Sequence, residues 1–169
     1  MACSLLNPTA QATIDTLSSA FGTFIQPGKA LLKKSQAPLG DVTTMIEVTS
    51  EHFHGSLAIA FNEQSILSFT QLLINETHME IDEVVEHIAS DVGVMIGGGI
   101  KRRFASLGVT VSLKHPTVLV GYHHNISHPL PGLRVVFPLH TEDGMLFLET
   151  CFHTFKANPI AQQLSTIAA

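Results

Sequence analysis

Tryptophan is absent from this chain, tyrosine occurs once and cysteine twice in 169 residues. Charge is scarce too: Lys, Arg, Asp and Glu together make up 14% of the sequence, where about a quarter is usual. Each shortage excludes something. Two cysteines, Cys3 near the start and Cys151 in a late apolar stretch, make neither a disulfide framework nor a zinc cluster. A net charge of -5 with one Tyr supplies neither the cations nor the stacking platforms of a non-specific nucleic-acid binder. No apolar run approaches the ~20 residues of a membrane span. The first residues lack the basic start and apolar core of a signal peptide. The expectation is a soluble, cytoplasmic protein with no nucleic-acid or membrane partner.

What is present is a normal share of apolar residues, 45%. A chain of this length buries roughly two-thirds of its unfolded surface, which suits one domain over residues 1–169. The mean hydropathy of +0.29 with so little charge implies apolar surface hidden in a second place, most simply an oligomer interface.

Asn7-Pro8 reads as a helix opening, with an N-cap side chain before Pro at the first helical position. Ala10, Ile14, Leu17, Phe21, Phe24 and Ile25 then recur at helical spacing until Pro27-Gly28. From Val42 the period becomes two. Val42, Thr44, Ile46 and Val48 form one strand and Leu57, Ile59 and Phe61 another, joined by a polar loop from Ser50 to Gly55. Asn62 caps a short helix bearing Ile66, Phe69 and Leu73, and a long helix follows over about 80–107. Strands return at 109–113, 118–120, 133–139 and 145–155, with Asp143-Gly144 as the last hairpin turn. Pro138 suggests an edge strand or a bulge. The 145–155 strand is apolar on both faces, as a fully buried or intermolecular strand would be. Asn158-Pro159 opens a small terminal helix. Paired strands with too few helices for βαβ winding predict a two-layer α+β fold. In it an antiparallel sheet packs against the N-terminal helix and the long helix.

The long helix carries most of the information. Steps of ~100° put Ile81, Val84, Val85, Ile88, Val92, Met95, Ile96 and Gly99 on one stripe, facing the core. Glu83, His87, Ser90, Asp91, Gly98 and Lys101 fall on the other side, and Val94 stands among them, roughly 140° from the apolar centre. Gly97-Gly98-Gly99 inside a helix costs about 1 kcal/mol per glycine relative to alanine. Either another element packs closely there, or a partner molecule approaches along that face.

This helix, together with one downstream strand, resembles the CheX/CheC/FliY chemotaxis phosphatases. The run Val85-Glu86-His87-Ile88-Ala89-Ser90-Asp91-Val92-Gly93-Val94-Met95-Ile96-Gly97-Gly98-Gly99-Ile100-Lys101 is similar to the family's signature helix with its Glu-x-x-Asn, Met-Ile-x-Gly and Lys. His115-Pro116-Thr117-Val118-Leu119-Val120-Gly121 is similar to its Pro-Thr-Val-x-x-Gly strand. Element order matches the single-motif CheX type. The resemblance implies a CheC-like fold, a homodimer formed by exchange or addition of C-terminal strands, no cofactor, and a phosphorylated CheY-like receiver domain as partner. It also implies a reaction: the family acid pairs with the receiver's lysine, and the Asn amide positions the water that hydrolyses the aspartyl phosphate.

Carried over by position, the acid falls on Asp91, the candidate catalytic residue, and the Asn falls on Val94. Valine offers a water neither donor nor acceptor, so loss or severe weakening of the reaction is expected. The docking surface is expected along Glu83, His87, Ser90, Asp91, Val94, Gly98 and Lys101. His87 and Ser90 share that face, but they stand one or two turns of ~5.4 Å from the amide's place. Two other readings remain: an active phosphatase with a different water-positioning group, and a non-catalytic scaffolding dimer.

Ten histidines are many. His123, His124 and His128 crowd a Pro-rich loop and His52 and His54 flank Phe53, but neighbouring residues diverge in an extended chain, and a metal needs converging ligands. Exposed loop histidines and no metal site are expected.

Overall fold

A computed structural model describes residues 3–155. In chain order it comprises α1 (Cys3–Phe21), β1 (Gln26–Pro27), β2 (Leu31–Leu32), β3 (Val42–Thr49), β4 (Phe53–Phe61) and α2 (Glu63–Ile74). There follow α3 (Glu83–Ser106), β5 (Ser112–Leu113), β6 (Thr117–Val120), β7 (Arg134–Thr141) and β8 (Gly144–Thr154). The strands form one antiparallel sheet in the order β1-β7-β8-β4-β3-β5, with β2 also on β7 and β6 also on β3. Three helices cover one face, giving the expected two-layer α+β architecture.

Alternation sorts the side chains by face. Val42, Ile46 and Val48 of β3 join Phe53, Leu57, Ile59 and Phe61 of β4 and Leu146, Leu148 and Phe152 of β8 in the core beneath the helices. Thr44, on the same face, donates its hydroxyl to the Ala89 carbonyl of α3 at 2.9 Å and fixes that helix on the sheet. Asn62 caps α2 by accepting from the Ser65 amide, and Asp82 caps α3 by accepting from Val85.

The other face is covered as well, by irregular chain. Residues 121–133 fold across it as a strap, and residues 29–37 lie beside them. Ile126 is 1% exposed, and its amide donates to the Gln36 carbonyl. Beneath them Ala58, Ala60 and Glu149 are sealed. This explains why β8 is apolar on both sides: it is buried within its own chain. It pairs with β4 from Leu146 to Thr154 and with β7 from Gly144 to Cys151.

Several local expectations are corrected. α1 starts at Cys3 and carries Pro8 inside it. The fully buried Leu5 draws an extra turn into the core, and Pro8 withdraws only one backbone donor. Thr9 beside it adds a hydroxyl bond to the Leu5 carbonyl. The helix stops at Phe21, not Pro27, because Gly22 turns left-handed at φ 61°. Phe24 is consequently exposed while Ile25 stays in the core.

Thr141 pairs with Gly144, so Glu142-Asp143 makes the last turn, one residue earlier than expected. Pro138 lies beside a bulge, as expected: the pairing of β7 slips by one residue between Pro27 opposite Leu139 and Leu31 opposite Val136. It falls between the stretches of β7 that pair with β1 and β2, and its carbonyl accepts from Gly28. The 109–113 strand shrinks to Ser112–Leu113. Val84 is 42% exposed instead of facing the core, and Ala89, Gly93, Ile100 and Phe104 complete the buried stripe. The terminal helix expected from Asn158 lies outside the described residues.

Candidate functional site

α3 presents an outward ridge. Glu83, His87, Asp91, Val94 and Lys101 are exposed along it, and Ser90 and Gly98 are half-buried at its sides. Val94 is 51% exposed at the middle of the ridge, with Asp91 a turn ahead. His87 turns back on its own helix, its Nδ1 2.7 Å from the Glu83 carbonyl oxygen. It therefore does not reach towards Val94.

Grooves flank the ridge on both sides, and Val94 lines both. The larger, about 660 Å³, runs between α1 and α3 past Asp15, Thr16, Met95, Gly98, Arg102 and Arg103. The smaller, about 290 Å³, lies towards Leu113, Lys114, His115 and Pro116. Among the described residues no ion pair reaches Asp91, Lys101, Arg102 or Arg103. Arg102 and Arg103, which rim the larger groove, were not among the residues expected at the site. Their sequence signal was three successive cations at the end of a polar face.

The glycines divide by cause. A Cβ on Gly93 would lie 2.5 Å from Thr44 Cγ2 and 3.2 Å from Pro116 Cβ. One on Gly97 would lie 3.1 Å from Leu113 Cδ1, and one on Gly99 would strike the Thr16 hydroxyl. Close internal packing therefore accounts for Gly97 and Gly99. It also joins the two motifs that the sequence singled out, since Pro116 seats against Gly93. Gly98 meets only Arg102, at an ordinary 3.5 Å.

The outer face of the sheet holds a polar network that the sequence did not reveal. Lys33 Nζ lies 2.6 Å from Glu149 Oε2, His128 Nε2 lies 3.1 Å from Glu149 Oε1, and Ser56 Oγ lies 2.6 Å from His128 Nδ1. All four side chains are buried between the sheet, the strap and the 29–37 segment. Burial pushes the Glu149 carboxyl up, but the hydrogen bonds and charges of His128 and Lys33 outweigh it and hold it below its usual range. His124 bonds Thr43 at 2.7 Å and the Gly121 carbonyl at 2.6 Å. Two of the loop histidines are thus tethers of the strap, against the expectation that all of them are exposed. Ser, His and Glu in a row resemble a nucleophile relay, yet Ser56 is 1% exposed, so no substrate reaches it. Among the described residues no cluster of three or more His, Cys, Asp or Glu could hold a metal ion.

No curated protein matches the chain by sequence. Among solved structures, a CheC-like superfamily protein from Shewanella sp. PV-4 superposes with a TM-score of 0.81 at 29% identity, over 90% of this chain and 99% of that one. The chemotaxis protein CheX from Vibrio vulnificus gives 0.79 at 28%, over 88% and 99%. CheX of Borrelia burgdorferi, solved in a complex with CheY, beryllium fluoride and magnesium, shares the fold at 0.72 and 18% identity, over 88% and 97%. The family profile of the chemotaxis phosphatase CheX matches residues 42–140, from β3 into β7, and so takes in both motifs and more than half of the chain. This protein belongs to the CheX family.

Proposed function

We propose that this chain docks the α3 ridge on the phosphorylated receiver domain of a CheY-type response regulator and has lost most of the phosphatase reaction. The observation that carries the reading is Val94. It stands half-exposed at the family's Asn position, on an intact ridge, with the acid Asp91 one turn away. An aspartyl phosphate is already activated, so a phosphatase of this kind supplies mainly the orientation of an in-line water. A primary amide has both donor and acceptor for that task, and an isopropyl group has neither. Asp91 keeps a carboxylate for the receiver's lysine, one methylene shorter than the family Glu. The complex of the Borrelia relative with CheY supports the choice of partner.

Ser90 and His87 do not replace the missing amide, since one is half-buried at the side of the ridge and the other is bonded to its own helix. No described helix is long and apolar enough to cross a membrane, and we place the protein in the cytoplasm, where receiver domains work. A homodimer belongs to the same reading. β4 and β7 occupy both edges of β8, so strand addition uses the outer strands of the sheet, whereas exchange requires β8 to leave its own.

The test pairs the chain with receiver domains from the same genome, phosphorylated and unphosphorylated, and then follows receiver phosphate over time. Preferential binding to the phosphorylated form with unchanged phosphate decay is expected. Accelerated decay would establish an active enzyme. Absence of binding to any receiver would remove the docking reading.

A further inference from the structure

Gly98 is the one member of the glycine triplet without an internal reason. Its backbone is ordinary α-helix, outside the left-handed region, and a Cβ there would make only a van der Waals contact with Arg102. Alanine in that place would raise helix stability. What glycine does instead is keep low the wall of the groove between α1 and α3, where Thr16 and Met95 stand on either side. Arg102 and Arg103 border the same groove, Lys101 precedes them, and no carboxylate of the described chain pairs with any of the three. Asp15, the one acid in the lining, accepts from the neutral Gln11 amide at 2.8 Å, which leaves its charge in place, and makes no ion pair with either arginine. The groove therefore combines a small-residue floor with two arginines against one acid, a net positive lining in a chain whose net charge is -5.

We propose that this groove is a second anchor for the receiver domain, beside the Asp91 and Val94 ridge. An acidic segment of the receiver lies along it, with its carboxylates on Arg102 and Arg103 and an apolar side chain seated over Gly98. The proposal rests on the docking reading above and adds to it which part of the partner is recognised. Two cations aimed at carboxylates contribute a salt-sensitive share of affinity and rate of association, and a filled pocket contributes slow release.

The experiment measures affinity for a receiver domain of the same genome, activated with beryllium fluoride and magnesium, together with thermal unfolding of each variant. Gly98→Ala should unfold roughly 2–4 °C higher than the wild type yet bind several-fold more weakly. Gly98→Leu should fold and lose tenfold or more in affinity. Arg102→Glu with Arg103→Glu should lose a similar factor and flatten the dependence of binding on salt. Folded variants that bind as tightly as the wild type would overturn the second anchor and leave the ridge docking intact. A wild-type chain that binds no receiver would overturn both.

Discussion

Lys33 and Glu149 stand 116 positions apart in the chain and meet at 2.6 Å, both buried. With His128 on the second carboxylate oxygen, they tie β8, the 29–37 segment and the strap at one point. Removing one partner of a buried pair leaves an uncompensated charge and costs about 3–5 kcal/mol. Lys33→Met and Glu149→Leu should each lose stability of that order in urea unfolding. The double variant should lose clearly less than the sum, because it strands no charge.

The same carboxylate sets an acid limit. Glu149 is held below its ordinary value of 4.5 by His128 and Lys33, so the folded state binds fewer protons than the unfolded chain. The stabilisation is complete above that ordinary value and is lost as pH falls through the lowered one. Unfolding free energy should therefore be level from pH 7 to about 5 as far as this group is concerned, and decline below. Glu149→Gln, measured by denaturant titration at several pH values, should show a shallower acid decline. Part will remain, because Lys114 lowers Glu47, and the Val85 amide and His78 lower Asp82, in the same direction.

Gly99→Ala should act opposite to Gly98→Ala, lowering stability where that change raises it. Gly99→Ala drives a methyl into the Thr16 hydroxyl and to 3.3 Å from the Ala12 carbonyl, prying α1 from α3. A loss of roughly 1–3 kcal/mol is expected from such overpacking, visible as a lowered melting temperature. Gly97→Ala, 3.1 Å from a flexible Leu113 methyl, should cost less.

Val94→Asn restores the amide at an exposed place. Its effect on stability should stay within about 0.5 kcal/mol, as for most surface substitutions. Its effect on the loss of phosphate from a bound receiver should be an acceleration of tenfold or more, read in a dephosphorylation time course. Binding without acceleration would mean that the reaction is missing more than one side chain.

Regular elements were legible because each writes its period into the chain. The alternation of Val42, Thr44, Ile46 and Val48 and the helical recurrence of Val85, Ile88, Val92 and Ile96 both ended in the core, and the Asn62 cap formed where its side chain predicted. Asn7-Pro8 misled because a sound local start signal was overridden by burial of Leu5 further back. The strap has no period at all. Its prolines and histidines read as solvent-facing loop, and only contacts with Thr43, Ser56 and Glu149, distant in sequence, turn His124 and His128 inward. Glu149 was the available signal, a lone acid in an otherwise apolar strand. At the site, the ridge followed from helical spacing, while the groove beside it depended on how closely α1 approaches α3, which no pattern within α3 encodes.

The placement of β8 bears on how the molecule is made. The last strand of the described chain fills the centre of the sheet, between β4 and β7. While the ribosome is still delivering the strap, β4 has its β3 neighbour but an open, strongly apolar opposite border, the kind of border that recruits stray strands. Only after residues 144–154 emerge does that gap close, and the contacts that close it span a long stretch of chain, which slows folding. Newborn copies crowded on one message are therefore most exposed to mispairing with each other just before the β7–β8 hairpin arrives.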